Sequence, residues 1–492
     1  MKNYLALLTI SATIFLFSCG GDDEPNFAAP SVTAPASQTL LSGEDTDLTF
    51  TFTAEAGFAS ASVSAENGIA TIATDGTADA TAGSIVVAFT AGSTAGAASV
   101  TLVVTDKEGE IDEATAVITV NTIPVEVISG FISENTTWTA DNIYELAGRV
   151  VVESGVTLTV NAGTIIKGRE GEGAAASALI VARGGKLMAM GTADMPIIMT
   201  TVLDDIQPGT YKSFGSGLDE NESGLWGGLL ILGNAPISAD AAEEQIEGIP
   251  ADFTYGLYGG DNAADNSGTL QYVSVRHGGS LIGEGNEING ITFGGVGSGT
   301  TVNHIEVVAN KDDGIEMFGG SVNISNVLIW AADDDAIDID QAYSGTIDNA
   351  VVIAFDGTDH GLEIDGPEGT LTGAFTVTNL TIKGFNDELG QYRDGAMGTT
   401  SNAYFFGFQT IADGEGDLSL EKDDAGNYTT FLTDLTFSNI EVTLIPDAAI
   451  TDMLKDGIDA FGTAVAAGAN TVGADTSVFG WTLASGTGAL DF

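Results

Sequence analysis

The sequence is poor in the residues on which zinc enzymes and many hydrolases depend. It contains a single cysteine, Cys19, and three histidines, His277, His304 and His360, among 492 residues. One cysteine cannot form an intramolecular disulfide, and no Cys- or His-rich zinc motif occurs. No serine stands in a Gly-x-Ser-x-Gly nucleophile elbow either. The composition therefore argues against zinc chemistry and acyl transfer.

Basic residues are also scarce. The chain has 14 Lys and Arg against 69 Asp and Glu, a formal net charge of -55, so nucleic acid and anionic membrane surfaces are poor partners. Because 43% of the residues are hydrophobic and 65 are glycine, the chain is not a disordered acidic tail. Carboxylates crowded on a folded surface repel one another. Calcium, which prefers hard oxygen ligands, is therefore the predicted cofactor.

Long apolar runs are absent after the N-terminus, where a short one occurs. Tyr4 to Phe17 is uncharged and follows a basic flank, which is typical of a signal peptide and too short for a comfortable transmembrane helix. The sequence Leu16-Phe17-Ser18-Cys19 resembles the bacterial lipobox, in which the cysteine is acylated and becomes the new N-terminus. We therefore predict a signal peptide over residues 1–18 and a lipid anchor on Cys19.

An acidic stretch follows this anchor. Gly20 to Glu24 resembles the export signal of surface lipoproteins in Bacteroidetes-type bacteria, and residues 19–28 are interpreted as an acidic tether. The resemblance implies a protein that is lipid-anchored in the outer membrane and exposed at the cell surface. A polysaccharide or an envelope protein is then the expected partner.

Residues 29–122 alternate between apolar and polar positions. Asp47–Thr53, Ala97–Thr105 and Glu113–Val120 have the period of two that is typical of antiparallel strands in a sandwich. This segment resembles an immunoglobulin-like or PKD-like module, although it lacks the Cys and Trp marks of antibody domains. Its predicted role is to space the rest of the protein from the membrane.

From about Val127 the pattern changes to short apolar pieces separated by glycine and asparagine turns, which indicates a solenoid. Gly184–Thr192, followed by Pro196 and Ile197, resembles coils of bacterial parallel β-helix proteins, as does Gly224–Gly233. The resemblance is to Bacteroidetes-type surface lipoproteins that carry a right-handed, pectate-lyase-like parallel β-helix after an Ig- or PKD-like module. It implies an all-β protein with a β-helix over 127–384, and we interpret 385–492 as less regular final coils and a cap.

Three repeats within this region can be aligned directly. His304–Val308 matches Asn326–Trp330 and Ala350–Ala354, with spacings of 22 and 24 residues, about the length of one β-helix coil. Each repeat is followed by an acidic turn and another short strand. Because coils stack, the acidic turns are expected to lie on one face. The carboxylates predicted to converge there on calcium are Asp312, Asp313, Asp334, Asp335, Asp338 and Asp340.

The same turns are compatible with catalysis. Asn310–Gly314, Asp333–Asp335 and His360-Gly361 occur in an order that resembles polygalacturonases. Carboxylates on successive coils can supply a general acid and a base, and calcium with a basic side chain can support β-elimination from a uronate. The Gly-His-Gly and Arg-x-Lys elements of those hydrolases are absent. The candidate catalytic residues are Asp312, Asp334, Asp335, His360 and Lys311.

A third hypothesis is a binding scaffold. Exposed aromatic rings on a long β-helix can stack on sugars, and Trp330, Tyr343 and Tyr404 are the candidates. The sequence favours this hypothesis: a surface lipoprotein whose β-helix binds a glycan or a cell-surface partner with the help of calcium. The alternative is a polysaccharide-degrading β-helix enzyme, either a polyuronate lyase or a glycoside hydrolase.

Overall fold

The computed structural model describes residues 27–247, 249, 253–281, 287–386, 388–410, 416–423 and 425–492. The predicted signal peptide and Cys19 lie outside the described residues. The chain divides into two compact units between Thr122 and Ile123, within the stretch where the sequence texture changes. No helix in the described part is both long and apolar enough to span a membrane.

The first unit consists of two four-stranded sheets. One has the strand order β1-β3-β6-β5 and the other β2-β8-β7-β4; the pairs are antiparallel except for the parallel pair β2–β8. Alternate residues such as Phe50, Phe89 and Val100 point into a common core. An immunoglobulin-like or PKD-like identity for this module stays a prediction. The strands are β1 (Ser31–Thr33), β2 (Gln38–Leu41), β3 (Asp45–Thr53), β4 (Phe58–Glu66), β5 (Gly68–Thr74), β6 (Ala82–Ala91), β7 (Gly96–Asp106) and β8 (Ile111–Asn121).

The second unit is a right-handed parallel β-helix, as predicted. Its coils begin at β9 and continue past Gly384 to β33, so residues 385–492, interpreted as less regular final coils and a cap, also contribute strands to the stack. The strands are β9 (Val125–Ile132), β10 (Thr136–Trp138), β11 (Ile143–Val152), β12 (Thr157–Asn161), β13 (Ile165–Gly168), β14 (Ala178–Val181), β15 (Lys186–Met190), β16 (Ile197–Thr201), β17 (Leu229–Leu232), β18 (Glu244–Gln245), β19 (Leu257–Tyr258), β20 (Gly268–Arg276), β21 (Ile291–Gly294), β22 (Thr301–Asn310), β23 (Ile315–Phe318), β24 (Asn323–Ala332), β25 (Ile337–Asp340), β26 (Thr346–Ile353), β27 (Leu362–Ile364), β28 (Phe375–Lys383), β29 (Gly390–Tyr392), β30 (Gly398–Phe406), β31 (Leu418–Leu420), β32 (Leu435–Val442) and β33 (Gly462–Ala464).

Short helices interrupt or follow the coils. Among the described residues, four of these helices are short 3-10 helices, and two are α-helices that span only four and five residues. The helices are η1 (Gly173–Ala175), η2 (Thr254–Gly256), α1 (Ile450–Met453), η3 (Ile458–Phe461), η4 (Thr476–Phe479) and α2 (Leu483–Thr487).

The coils stack as three parallel sheets. The first sheet contains β10, β12, β15 and the N-terminal halves of the even-numbered strands from β20 to β32. The second sheet contains the start of β11, then β13, β16 and the C-terminal halves of the same long strands. The third sheet contains the end of β11, then β14, β17, β21, β23, β25, β27, β29 and β31.

A left-handed corner residue separates the first sheet from the second on successive coils. These residues have φ between 50° and 60°, a conformation that asparagine tolerates better than most residues. Asn349 donates to Asn326 Oδ1 at 2.7 Å, and Asn402 donates to Asn379 Oδ1 at 3.2 Å. The corner residues are Tyr272, His304, Asn326, Asn349, Asn379, Asn402 and Asn439.

The positions of the corner residues show that the third repeat was misaligned in the sequence comparison. The structure pairs Val327 with Ala350, so the equivalent of Asn326 is Asn349 and the spacing between them is 23 residues. The alignment that matched Asn326 with Ala350 was therefore wrong by one residue. The conformational preference of the corner asparagine fixes the register.

The C-terminal segment lies on the side of the β-helix. Phe479, Leu483 and Ala484 pack against the outward side chains of the second sheet, including Trp330 and Val351. Ala484 N also donates to the buried Glu306 Oε1 at 3.1 Å. Within this segment Phe479 ends η4 and Leu483 begins α2.

Candidate functional site

Carboxylates cover the outward face of the third sheet. In β23, β25 and β27 the residues alternate, so that Ile315, Ile337 and Leu362 point into the core while the next residue points outward. The turn before each strand adds further acidic side chains. We call this surface the acidic wall; its residues are Asp312, Asp313, Glu316, Asp334, Asp335, Asp338, Asp340, Glu363, Asp365, Glu388 and Asp417.

A close-packed turn brings these residues together. Gly314 precedes β23, and a Cβ there would collide with Ile329 on the second sheet. Only glycine therefore lets the coil pass so close to the core after Asp312-Asp313. In the Asp-Asp-Gly sequence, the glycine is thus required by the packing of the turn, whereas the two aspartates supply the carboxylates.

The turn residues form a continuous polar ladder. Asp335 N donates to Asp313 Oδ1, and His360 N donates to Asp335 Oδ1, both at 2.9 Å. The imidazole of His360 also bonds through Nδ1 to Asp335 Oδ1 at 2.7 Å, while its Nε2 lies 3.4 Å from Glu388 Oε2. Burial opposes protonation of His360, but the bonds to Asp335 and Glu388 raise its pKa to about 11. The imidazole is thus a cation held between two carboxylates.

Asp335 also shares a hydrogen bond with Glu363, and the two carboxyls titrate in opposite directions. Burial and, after it, the hydrogen bond with Asp335 and the charge of that residue together raise the pKa of Glu363 to about 9. Burial would also raise the pKa of Asp335, but the hydrogen bonds from His360 and Glu363 hold it below its usual value. Glu363 is therefore protonated at neutral pH while Asp335 is ionised, and such a separation of pKa values typifies acid/base sites.

An open groove begins beside this pair. Arg393 binds Asp365 through two bonds of 2.7 Å and also pairs with Glu363. Burial raises the pKa of Asp340 to about 7, and the nearby Glu368 contributes. The groove has a volume of about 370 Å³ and is lined by Asp340, Asp365, Gly366, Pro367, Glu368, Asp394, Gly395 and Thr429.

A second cluster on the wall has the donor set of a divalent cation site. Asp313, Glu316 and Asp338 each offer an oxygen within 4.8 Å of the other two. Burial is the main cause that raises the pKa values of all three carboxyls. The charge of Asp338 is the next cause for Asp313 and Glu316, and the charge of Glu363 is the next cause for Asp338. Asp338 Oδ1 is buried and accepts no hydrogen bond from the described residues. A neighbouring group combines Asp312, Asp313 and Asp334.

The structure brings together most of the acidic residues chosen from the sequence. Asp312 and Asp334 lie at equivalent turn positions, and burial raises their pKa values to about 7 and about 6. Asp338 and Asp340 share the outward face of β25. Lys311 binds Asp333 Oδ2 at 2.8 Å, so it is not free to act as a base on the wall.

The three aromatic candidates do not fit a role in stacking on sugars. Trp330 is 6% exposed because the C-terminal segment covers it, and Tyr343 is 1% exposed inside the β-helix. Tyr404 is 5% exposed and stacks on Phe406 with 5.0 Å between ring centroids. Their rings are occupied by protein contacts.

The choice of site residues from the sequence missed Glu316, Glu363, Glu388 and Arg393. Glu316 and Glu363 occupy the position equivalent to Asp338 in the three aligned repeats, so the alignment contained the signal for both. Glu388 and Arg393 follow in the next coil, where the repeat is less regular. Nothing in their local sequence indicates that they reach the same site.

These observations define a parallel β-helix protein with an acidic groove on one sheet. A family model described as a pectate-lyase-like β-helix domain matches residues 130–484. The chain belongs to this family.

No curated protein matches the chain. Among solved structures, a family 28 exopolygalacturonase of Yersinia enterocolitica is similar, with 11% sequence identity and a TM-score of 0.27 over 85% of this chain and 87% of that chain. At these values the likeness carries no argument about activity.

Proposed function

We propose that this protein is a polysaccharide-degrading enzyme, a glycoside hydrolase whose active site is the acidic wall. The observation that carries the proposal is the cluster of Asp335, His360 and Glu363, each of which offers an atom within 4.8 Å of the other two, and in which burial and the adjacent Asp335 raise the pKa of Glu363 to about 9. Membership of a family described as pectate-lyase-like supports a polysaccharide substrate. Catalysis thus replaces the binding scaffold that the sequence favoured, whose aromatic platform is buried.

In the proposed mechanism Glu363 is the general acid and Asp340 the general base. Asp338 pairs with Glu363 across the sheet, so Asp340 is the diagonal neighbour of Glu363. Strand spacing and rise place such diagonal positions about 8 Å apart, within the range of inverting glycosidases. The pKa of Asp340, about 7, suits a base at neutral pH.

The proton transfers balance in a single displacement. Glu363 gives its proton to the glycosidic oxygen as the bond from that oxygen to the anomeric carbon breaks. Water attacks the anomeric carbon, and its proton goes to Asp340. Asp335 and His360 are positioning residues, since they fix the proton on Glu363 through the hydrogen bonds described above.

The direct test is to incubate the purified protein with a panel of neutral, acidic and amino-bearing polysaccharides and to measure new reducing ends. Ultraviolet absorbance of unsaturated ends distinguishes a lyase from a hydrolase. We expect saturated products. Retention of polymers without new ends would contradict hydrolysis and favour a glycan-binding role, and unsaturated ends would show β-elimination instead.

We also propose that calcium binds to Asp313, Glu316 and Asp338. Three carboxylates match the hard oxygen ligands that calcium prefers, and the buried Asp338 Oδ1 without a hydrogen bond is a natural ligand atom. A bound ion supplies positive charge that relieves repulsion among these carboxylates. It takes no part in the proton transfers above.

Calcium at about 100 times its dissociation constant is expected to stabilise the β-helix by about 2.7 kcal/mol, because it binds only the folded site. The measurement is the melting temperature in calcium and in chelator. Asp338→Asn should abolish most of the increase, whereas Asp261→Asn, an exposed change in the same unit, should retain it. An equal calcium response in the wild type and Asp338→Asn would contradict this site.

Surface anchoring through Cys19 is a separate proposal that rests on the lipobox-like sequence. Cys19→Ala is expected to abolish incorporation of labelled palmitate and to shift the protein from the membrane to the soluble fraction, because the thiol that carries the lipid is removed. Ser18→Ala keeps the thiol and a small residue before it, so it serves as the control. Undiminished labelling of Cys19→Ala would contradict the anchor.

A further inference from the structure

The charge balance of the acidic wall narrows the class of substrate, given the proposed function on which this inference rests. A groove that binds polyuronate is expected to present positive charge to the sugar carboxylates, because like charges that face each other across an interface oppose binding. Uronate binding therefore depends on whether the cationic side chains beside this wall are free to contact a sugar carboxylate.

Every cationic group found beside the wall in the described part of the chain already holds a carboxylate. Arg393 donates from Nε and Nη2 to Asp365, and its Nη1 contacts Glu363, so the guanidinium is occupied on both sides. His360 is enclosed by Asp335 and Glu388. The pairs are Lys311–Asp333, His360–Asp335, Arg393–Asp365, Lys422–Asp456 and Lys455–Asp417.

The open surface next to these pairs is acidic. The groove beside the proposed acid and base carries Asp340, Asp365, Glu368 and Asp394, and none of the described residues that line it is basic. A second groove, along the next coils, is lined by Glu388, Asp417, Glu421 and Asp456, with Lys422 and Lys455 engaged as above. Both grooves offer acceptors to hydroxyl and amino groups.

A calcium ion does not change the sign of this surface. At the proposed site its two positive charges face three carboxylates, Asp313, Glu316 and Asp338, which leaves one net negative charge. Such an ion relieves repulsion within the wall but offers little attraction to a uronate. A calcium ion held by only one or two carboxylates would not leave this net negative charge.

We propose that the acidic wall selects a polysaccharide without uronic acid carboxylates, one whose hydroxyl or amino groups donate to the wall. Carboxylates of the wall accept hydrogen bonds from sugar hydroxyls, and a protonated amine gains ion pairs as well. A uronate carboxylate meets like charge at both grooves. This repulsion therefore excludes pectate, the polyuronate that the description of the family suggests as a substrate.

The test measures both retention and cleavage for three polymers: polygalacturonate, a neutral galactan and chitosan. Affinity electrophoresis gives retention, and reducing ends give cleavage, each in chelator and in calcium. We expect galactan or chitosan to be retained and cleaved, with polygalacturonate bound at least about tenfold more weakly in both conditions. Chitosan retained more strongly than galactan would show that the amine contributes.

Charge-neutral variants test the cause of the selectivity. Glu368→Gln combined with Asp394→Asn removes two charges from the groove and should increase polygalacturonate retention. Retention is the readout here because Glu368 contributes to the pKa of the proposed base, Asp340, so the rate of cleavage is expected to change as well. Glu113→Gln combined with Asp47→Asn makes the same charge change at exposed sites of the first unit and should not increase retention. Equal retention of polygalacturonate by the wild type and by both double variants would overturn the electrostatic argument.

The outcomes separate this inference from the proposed function. Cleavage of polygalacturonate, with or without calcium, overturns the substrate class but leaves a polysaccharide-degrading enzyme. Retention of galactan or chitosan without cleavage supports the selectivity and overturns catalysis. Neither retention nor cleavage of any polymer overturns both.

Discussion

Glu363→Gln is expected to lower the rate of polysaccharide hydrolysis about 10²- to 10⁴-fold, the usual contribution of a general acid. Glutamine has the shape of the protonated carboxyl that Glu363 presents at neutral pH. The hydrogen bond to Asp335 can therefore persist and the fold should be kept. The substitution removes the transferable proton and little else.

Polymer retention by Glu363→Gln should match the wild type, which separates loss of chemistry from loss of binding. Glu172→Gln makes the same change at an exposed position of the same unit and should keep full activity. The wild-type rate should also fall as the pH rises through about 9, where Glu363 loses its proton. Near-wild-type turnover in Glu363→Gln would remove Glu363 from the proposed role.

The stability of the β-helix unit is expected to depend on pH. In chelator, its melting temperature should fall as the pH rises from about 5 to about 8. The reason is that burial raises the pKa of Asp334 to about 6 and those of Asp312 and Asp340 to about 7 in the folded state. The unfolded chain has ordinary carboxyl pKa values near 3.9.

The sign follows from proton uptake. Between the unfolded and folded pKa values the folded protein binds more protons than the unfolded chain, so unfolding becomes easier as the pH increases. The contribution is complete below about pH 4 and is lost as the pH rises through 6 to 7. His360 acts in the same direction, but its contribution is lost between about 6.5 and 11. Asp335 acts oppositely, since its folded pKa is lowered.

Calorimetry from pH 5 to pH 8 checks this expectation. Asp334→Asn combined with Asp340→Asn should flatten the profile, while Asp261→Asn, at an exposed site, should leave it steep. Calcium should also flatten it, because the ion replaces protons among the carboxylates. A melting temperature that increases over this range in chelator would show that these carboxyls do not titrate as described.

Much of the architecture follows from local sequence, whereas the partners in the site do not. The alternation of Ile337, Asp338, Ile339 and Asp340 already predicts which side chains point outward. Register depended on the corner conformation of Asn349, which residue spacing alone does not reveal. The prediction of a β-helix was therefore confirmed, but the alignment of its third repeat was wrong by one residue.

Contacts between distant segments were beyond prediction. The bond between Arg393 and Asp365 joins residues 28 positions apart, and its geometry depends on how an irregular coil closes. Trp330 offered an apparent sugar platform because its cover, around Phe479 and Leu483, lies far along the chain. An aromatic residue in a strand has the same local pattern whether sugar or protein covers it.

The C-terminal segment also affects how the stack of coils comes apart. A solenoid whose coils touch only their neighbours frays from its ends. Here Asp475 N binds Asn349 Oδ1 at 2.6 Å, and Lys212 Nζ binds the Gly480 carbonyl. Asp475 and Gly480 thus tie this segment to central coils of the β-helix. Loss of these contacts is expected to loosen the coils in the middle of the stack, which carry the acidic wall, without first loosening the coils at its ends.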